Sequence, residues 1–411
     1  MNAATTHSAI ENVLRQSYGQ IIAYLAARSG DVAGAEDALS DAFVAALQRW
    51  PVDGVPDKPE AWLLRAARNR IIDNARHEKV RLRSAEPLQQ IAEEAQTMAI
   101  NHDSFPDERL KLMFVCAHPS IDVVARTPLM LQTVLGIDAA RIASAFLVSP
   151  KAMSQRLVRA KTKIRDAAIP FRVPEPQEWG ERLTFVLDAI YAAYTTGWEN
   201  PSDAISSDGA LAEEAIVLGR VMVSLMPSEP EPHGLLALML HCQAHRHARR
   251  GEEGHFIPLD KQDTDKWSRP LISEAEEHLS VAAGFSRMGR FQLEAAIQSV
   301  HAQRAVTGET DWQAIALLYE GLVRVAPGIG SLVGRAVALA QAGDPGAGLS
   351  ALAEISPDRI GSYQPYWAAR AFLLHSLGND AEARNAWQRA IGLTEDPALR
   401  QYLMERIAES G

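Results

Sequence analysis

The sequence predicts an all-α protein. Ala, Leu, Arg, Gln and Glu dominate the 411 residues, and apolar side chains recur at helical spacings along most of the chain, whereas the alternation typical of strands is almost absent. Hydrophobic residues make up 47% and charged residues 22% of the sequence, the balance of globular domains that bury a core. A chain of this length corresponds to about two to four domains.

Helix-breaking residues divide the chain into four successive parts. Residues 1–83 are predicted to form a first helical unit, which one proline-rich loop interrupts. Residues 84–107 are polar and acidic, and we interpret them as a linker. Residues 108–169 are predicted to form a second small helical unit, and three prolines then mark the start of a long helical region, residues 170–411.

Positive charge is concentrated in two segments of the N-terminal part. Residues 1–166 contain 21 Lys and Arg against 19 Asp and Glu, whereas residues 167–411 contain 20 against 32. Residues 58–83 hold eight basic and three acidic side chains, and residues 150–166 hold six and one. Such asymmetry indicates a part that faces nucleic acid joined to an acidic part that does not.

The second basic segment has the pattern of a helix–turn–helix unit. Residues 139–146 predict a short helix, and residues 150–166 predict a second helix that Ser149 caps and Pro150 begins. The apolar stripe of this second helix consists of Met153, Leu157, Ala160 and Ile164. In such units the N-terminal half of the second helix meets base edges, and the cations around it contact phosphates.

This pattern assigns roles to the polar side chains of the second helix. Those expected to read bases are Lys151, Ser154, Gln155 and Arg159. Those expected to contact the DNA backbone are Arg156, Lys161, Lys163 and Arg165. A solvated helix face with incidental charge is the alternative interpretation.

The first basic segment predicts one helix over residues 60–80 with a different character. Its buried stripe is expected to be Leu64, Ala67, Ile71 and Ala75. Its opposite face carries Trp62, Arg65, Asn69, Arg70, Asp73, Arg76 and His77. A basic face with an aromatic ring and amides suits unpaired DNA, because bases stack on rings and phosphates need neutralising. Packing of Trp62 on the preceding proline-rich loop is an equal alternative.

A weak internal repeat occurs near the C-terminus. Arg335-Ala336 followed by Gly343 matches Arg370-Ala371 followed by Gly378 at an offset of 35 residues, close to the period of tetratricopeptide helix pairs. In the second copy the small and large positions of that repeat are occupied by Leu377, Gly378, Ala383, Trp387 and Ala390. We therefore predict a tetratricopeptide-like region.

Several classes of function have no support in the sequence. The two cysteines, Cys116 and Cys242, lie in apolar runs, which favours a reducing compartment over a disulfide framework or a zinc site. No signal-peptide pattern or apolar run of membrane-spanning length occurs, so we expect a soluble, cytoplasmic protein. His241 and His245 share a helix face but lack the Glu of the metalloprotease motif, and no phosphate-binding or nucleophile motif is present. We expect no metal, no cofactor and no catalytic activity.

One polar group in the C-terminal region leaves two interpretations open. It consists of Arg249, Asp260, Asp263, Trp267 and Asp311. These side chains could line a ligand pocket, or they could form buried ion pairs between stacked helices.

The first 166 residues resemble the extracytoplasmic-function (ECF) sigma factors of bacterial RNA polymerase. Residues 35–43, AEDALSDAF, are similar to the core-polymerase-binding motif, and residues 61–69, AWLLRAARN, to the signature around the helix that reads the −10 element. Ser40 stands where the family usually has Gln, and Ala66 where a branched residue is common. The rest of the chain resembles the C-terminal tetratricopeptide-like extension of one sigma-factor subgroup; the likeness is carried by residues 232–239, 259–263, 267, 294–297 and 310–312.

This resemblance implies a sigma factor with region 2 in residues 1–83, region 4 in residues 108–169 and a regulatory region in residues 170–411. Core RNA polymerase would be contacted by Asp37, Asp41 and Phe43, which are expected side by side on one amphipathic helix. The −10 element would be met by Trp62, Arg65, Asn69, Arg70, Asp73 and Arg76. The −35 element would be read as duplex by Lys151, Ser154, Gln155, Arg156, Arg159 and Lys163.

The remaining expectations concern the linker, the extension and a competing function. The acidic linker could thread the channel through which RNA later passes, or it could be a solvated tether. We expect the extension to pack on the two sigma domains as a built-in regulator, because only a short proline-containing spacer separates it from them. The alternative is a helix–turn–helix regulator with a helical-repeat sensor domain, which binds duplex operators without being a polymerase subunit.

Overall fold

The structure, a computed structural model, describes residues 3–82, 107–146, 148–198, 207–251 and 254–409. Within these residues the elements are helices, and the only strand-like pairing is an isolated bridge between Arg250 and Phe256, which confirms the predicted all-α class. No helix in this part of the chain combines the length and apolar character needed to cross a membrane. The predicted linker, residues 84–107, lies outside the described residues apart from Asp107.

Two compact units make up the chain, Met1–Val221 and Met222–Gly411. The first unit begins with a helical domain whose members are α1 (Ala3–Gln16), α2 (Tyr18–Ser29), α3 (Val32–Asp53) and α4 (Pro59–Leu82). Trp50, Leu39 and Leu63 are buried where α3 and α4 pack together. Leu63 is fully buried, whereas Leu64, which was expected in the buried stripe of this helix, is only half-buried. The prediction was therefore wrong by one residue at this position.

A second helical domain follows, built of α5 (Arg109–Cys116), α6 (Val123–Thr133), α7 (Ala139–Ala145) and α8 (Pro150–Asp166). The predicted cap is confirmed, because the Ser149 hydroxyl accepts the N–H of Ala152 at 3.3 Å and Pro150 begins α8. The predicted apolar stripe of α8 is confirmed too, since Met153, Leu157, Ala160 and Ile164 are all buried. Local sequence therefore determines this pair of helices and the turn between them.

Two helices beyond the second domain belong to the same compact unit. They are α9 (Gly180–Trp198) and most of α10 (Ser207–Leu225), so the predicted boundary at residue 170 lies inside this unit. Helix α9 packs on α5 and α6. Buried Arg182 of α9 donates to the carbonyl oxygen of Phe114 at 2.6 Å, and buried Arg126 of α6 lies 3.4 Å from the carboxylate of Glu181.

The second unit is a succession of helices. They are α11 (Pro230–Ala244), α12 (Arg269–Gly284), α13 (Arg290–Thr307), α14 (Trp312–Val325), α15 (Ile329–Gln341), α16 (Pro345–Ala353), α17 (Pro357–Ile360), α18 (Gln364–Ser376), α19 (Asp380–Gly392) and α20 (Pro397–Glu409). Helix α11 is buried along most of its length and packs on α12 and α13. Three short 3-10 turns connect α11 to α12: Arg246–Arg249, Leu259–Lys261 and Thr264–Lys266.

The predicted offset of 35 residues recurs in the helix starts. Helices α15 and α16 begin at residues 329 and 345, and α18 and α19 begin at residues 364 and 380. Gly343 and Gly378 turn the chain between the helices of each pair with φ of 106° and 77°, a left-handed conformation that favours glycine. The equivalent small residues Ala336 and Ala371 are both fully buried. The description of this region as tetratricopeptide-like stays a prediction.

Several histidines lie inside the second unit: His233, His241 and His245 are buried, and His301 is half-buried. His241 on α11 is fully buried, and its Nε2 lies 3.4 Å from the carboxylate of Glu276 on α12, although neither ring nitrogen makes a hydrogen bond to the described residues. The ring of His245 lies 4.3 Å from that of Trp267, and the ring of His301 lies 5.3 Å from that of Trp312. Burial lowers the pKa of His241 and of His301 to about 4, and burial with neighbouring cations lowers the pKa of His245 to about 3.

We expect these buried histidines to make the protein acid-sensitive. Between pH 6.5 and about 4 the unfolded chain takes up protons at His241 that the folded chain does not, so stability is lost as the pH falls through this window. At pH 5 the loss amounts to about 2 kcal/mol for this histidine. Urea unfolding at pH 7 and pH 5 measures it. His241→Gln should reduce the difference between the two pH values, and replacement of the exposed His247 by Gln should leave it unchanged.

Candidate nucleic-acid and polymerase interface

The N-terminal half of α8 presents the predicted base-reading side chains to solvent. Lys151, Ser154, Gln155 and Arg159 are all exposed. Val158 stands among them with 62% of its surface exposed. An exposed valine in a basic face provides an apolar contact of the kind that thymine methyl groups make in the major groove. This half of α8 can therefore meet the edges of base pairs.

The side chains assigned to the DNA backbone do not share one environment. Lys163 is exposed, whereas Arg156 is half-buried and donates to the carbonyl oxygen of Val124 at 3.3 Å. Lys161 is buried, and its ammonium group lies 2.5 Å from the carboxylate of Glu36 on α3. The prediction of Lys161 as an exposed phosphate contact was wrong, because the C-terminal half of α8 packs on α3.

Helix α3 carries the residues predicted to bind polymerase. Asp37 and Asp41 are exposed one turn apart, but Phe43 is half-buried. Two residues separate Asp41 from Phe43, which places them about 200° apart around the helix, so the expectation that they lie side by side was wrong. The residues that do share the exposed face, here called the α3 stripe, are Asp37, Ser40, Asp41, Val44, Leu47 and Gln48.

The α3 stripe contains two apolar side chains that sequence reasoning missed. Val44 is 53% exposed and Leu47 is 42% exposed, although both belong to a helix that buries apolar residues on its other side. Their spacing would have identified them, because Val44 lies three residues after Asp41 and Leu47 lies seven after Ser40, and residues three, four and seven apart share a helix face. Two acidic groups are thus followed by two apolar groups along one exposed face that another protein can cover.

The predicted single-strand face of α4 lies beside the α3 stripe. Arg65, Asn69 and Asp73 are exposed, and the side chain of Arg76 lies outside the described residues. The Nε of Arg70 donates to Asp41 at 2.7 Å, and this bond raises the pKa of the guanidinium group. The −10 face and the predicted polymerase-binding face are therefore joined by one ion pair, which exposure to water keeps weak.

Trp62 packs beside the proline-rich loop, as one of the two interpretations expected, and its stacking on DNA stays a prediction. It is half-buried, and its ring meets that of Trp50 edge to face at 5.5 Å. Trp50 lies in the last turn of α3, directly before the proline-rich loop. The indole of Trp62 thus packs at the base of this loop and keeps part of its surface free for stacking.

Three members of the polar group of the second unit, Asp311, Asp263 and Trp267, make local hydrogen bonds. The carboxylate of Asp311 caps α14 by accepting the N–H of Ala314 at 2.9 Å, and Asp263 accepts the N–H of Asp265 at 3.0 Å. Trp267 donates to the side chain of Gln262 at 3.1 Å. These are local caps and turns. No group of three His, Cys, Asp or Glu side chains that could hold a metal ion occurs within the described ranges.

Comparison with known families places the N-terminal part in a class. Residues 13–81, which contain α2, α3 and nearly all of α4, match the family model of sigma-70 region 2. The chain is therefore a sigma-factor-like protein of transcription initiation, and this domain implies interaction with core RNA polymerase and promoter DNA. Residues 182–283 match a family of unknown function, DUF6596. No solved structure matches the chain.

The relationship to a curated protein extends over almost the whole chain. An uncharacterized protein of Rhizobium meliloti (strain 1021) is 36% identical over 398 residues, which cover 95% of this chain and 92% of that protein. The chain belongs to the same family as this protein. In this chain the sigma-70 region 2 domain is followed by a long helical extension.

Single substitutions on α8 should separate base reading from backbone contact. Arg159→Ala or Gln155→Ala should cost about 1–3 kcal/mol of binding at one or two promoter positions and relax the preference there. Lys163→Ala should weaken binding to all sequences about equally and lower the salt dependence by about one counterion. Titration of a promoter duplex and its single-base variants at several salt concentrations measures both effects. Identical specificity profiles for the two kinds of variant would contradict the assignment.

Proposed function

We propose that this chain is an alternative sigma factor of the ECF type, a dissociable subunit that directs core RNA polymerase to specific promoters. The observation that carries the proposal lies within the segment that matches sigma-70 region 2. There the acidic and apolar α3 stripe adjoins the basic face of α4, and Arg70 bonds to Asp41 at 2.7 Å between them. A surface for polymerase next to a surface for unpaired DNA is what promoter opening requires.

Reading of the −35 element is proposed for the second helical domain. Support comes from α8, whose apolar stripe is buried while Lys151, Gln155 and Arg159 remain exposed at its N-terminal half. A recognition helix meets base edges with this half. We propose further that the protein acts in the cytoplasm and has no catalytic activity of its own.

The competing function, a helix–turn–helix regulator with a sensor domain, uses only α7 and α8. Such a regulator needs no polymerase-binding helix and no face for single-stranded DNA. The match of residues 13–81 to sigma-70 region 2 therefore favours the sigma factor. A run-off transcription assay with core polymerase and a genomic promoter library tests the choice: defined transcripts support the sigma factor, and DNA binding without any transcript supports the regulator.

Regulation by the C-terminal extension is proposed from the contacts of α9 and α10. Three buried arginines connect these helices: Arg109 of α5, Arg126 of α6 and Arg182 of α9. Each of them bonds to a partner on another element. Arg109 pairs with Asp107 at 2.6 Å and with Glu214 of α10. The start of the extension thus holds the second helical domain, and we propose that the helix pairs further along are tetratricopeptide-like and take up the regulatory signal.

The α3 stripe should be required for binding to core polymerase. Asp41→Ala with Val44→Ala should weaken binding about tenfold or more, because central apolar and charged groups dominate such interfaces. The test substitutes Val44 and leaves Phe43 unaltered, because Phe43 is half-buried and contributes to the fold. Titration of labelled protein with core polymerase measures the effect.

The control for this substitution is Val123→Ala on α6, since Val123 and Val44 are both 53% exposed. It should leave core binding unchanged. Circular dichroism should show the same helix content for all variants. Unchanged affinity of the α3 variant would argue against a sigma factor that binds through this helix.

Truncation should reveal which part of the extension the sigma-like domains need. A fragment of residues 1–225 keeps α9 and α10 and should stay folded and bind core polymerase. A fragment of residues 1–174 loses Glu214, which pairs with buried Arg109, and Glu181, which is 80% exposed and adds little to the stability of its pair with Arg126. It also uncovers the apolar surface of α5 and α6. Thermal melting and light scattering compare the two fragments, and equal stability would refute this role of α9 and α10.

A further inference from the structure

We infer that the second unit is closed by a clasp, in which a hairpin from its first long connection holds its last helix, and that release of this clasp is a conformational switch within the unit. The hairpin, here called the clasp hairpin, consists of residues 249–251 and 254–257 of the described chain, and the last helix is α20. The inference goes beyond the proposed function and does not depend on it. It rests on a contact between side chains 146 residues apart.

The clasp hairpin is formed by pairing between its two arms. The N–H of Ile257 donates to the carbonyl oxygen of Arg249 at 2.9 Å. Gly254 turns the chain with φ of 80°, a left-handed conformation that favours glycine. Arg250 and Phe256 are paired across the two arms in an antiparallel bridge. Residues that are directly opposite in such a bridge share a face, so these two side chains lie on the same side of the hairpin.

The clasp hairpin extends from a fixed base on α13. Arg304 of α13 donates to the carbonyl oxygens of Leu259 and Gln262, at 3.0 and 2.8 Å. Its guanidinium group also lies 5.0 Å from the centre of the Trp267 ring. The side chain of Gln262 in turn donates to the carbonyl oxygen of Ile257 at 3.2 Å, and both Gln262 and Trp267 are buried. The hairpin therefore starts from a rigid base and does not swing freely.

Two contacts join the clasp hairpin to α20. The Nη2 of Arg250 donates to the Oδ2 of Asp396 at 2.5 Å. The ring of Phe256 meets that of Tyr402 edge to face at 5.5 Å. Asp396 also caps α20, because its Oδ1 accepts the N–H of Ala398 at 2.9 Å. One carboxylate thus fixes both the start of α20 and the side chain of Arg250.

This contact closes a circuit of helices within the second unit. Helices α13, α14, α15 and α16 each pack on the next, α18 packs on α15 and α16, and α19 and α20 follow in order. In a succession of this kind a helix pair contacts its neighbours, so the two ends move apart or together as the curvature changes. The clasp hairpin continues directly from the end of α11 and ties α20 back to it. The closed clasp therefore holds the succession at one curvature.

The clasp is weaker than the other contacts of this circuit. The side chains of Arg250 and Asp396 are 22% and 29% exposed, and an ion pair that water reaches is weak. Neighbouring helices instead bury an apolar core, as α16 and α18 do with Leu352 and Leu373. One ion pair and one ring contact can break while these cores stay intact, which gives a minor open state of about 0.1–10%. A partner that binds only the open state raises this fraction.

Hydrogen exchange of the full-length chain, measured by mass spectrometry, tests the clasp. Asp396→Asn removes the charge that Arg250 pairs with and keeps the helix cap, because Asn caps helices as well as Asp does. Backbone amides of residues 397–409 and 254–257 should then exchange about three to ten times faster, since both sides of the contact open together. Arg250→Ala should have the same effect. The combined variant should exchange no faster in α20 than either single variant, because both substitutions break one contact.

Two substitutions outside the clasp are matched controls. Asp344→Asn alters the residue that caps α16, whose carboxylate accepts the N–H of Ala347 at 2.8 Å. Arg246→Ala removes an arginine from the same connection, four residues before Arg250. Each repeats the charge change of one clasp variant. Both should leave the exchange of residues 397–409 unchanged.

A final variant removes both contacts of the clasp. Phe256→Ala with Asp396→Asn should give a larger radius of gyration in small-angle scattering than Asp344→Asn does. If this variant does not fold in thermal melting, the exchange of the two single clasp variants decides alone. Exchange in α20 at the rate of the controls for both Asp396→Asn and Arg250→Ala would overturn the clasp. These measurements contain no polymerase or DNA, so failure of the proposed function leaves their outcome unaffected.

Discussion

The first unit depends on one constraint: a cation that leaves water has to find an acid or a carbonyl on another helix. Arg109, Arg126, Lys161 and Arg182 are all buried, and each meets this need across a packing boundary. An unpaired buried charge costs several kcal/mol, so these contacts fix which helices lie together. The buried cations thus connect the first domain, the second domain and the start of the extension.

This constraint also explains why the sites are close to one another. Asp41 of the α3 stripe bonds to Arg70 of the DNA-facing helix, and Glu36, five residues before Asp41 and on another side of α3, bonds to Lys161 of α8. Helix α3 therefore contacts polymerase, the −10 face and the −35 helix from different sides in the proposed function. A ligand on one side changes the charge that the other sides experience, which is the physical basis for coupling between them.

The second unit is stabilised in a different way. Its helices α15, α16, α18 and α19 pack through small residues, and a β-carbon on Gly348 would lie 2.5 Å from the carbonyl oxygen of Ala336. Its buried histidines remain neutral because the interior disfavours their charged form. Packing between neighbouring helices suits a region that repeats one helix pair along the chain.

The sequence by itself determined the helical class, the Ser149 cap, the apolar stripe of α8 and the 35-residue offset, because caps, periodicity and glycine turns depend on residues close together in the chain. Only the tertiary structure decided that Lys161 is buried and that α9 and α10 join the first unit. A lysine in a basic helix looks solvated until an acid 125 residues away is known to face it. Such pairings depend on how helices pack, and periodicity carries no information about the partner.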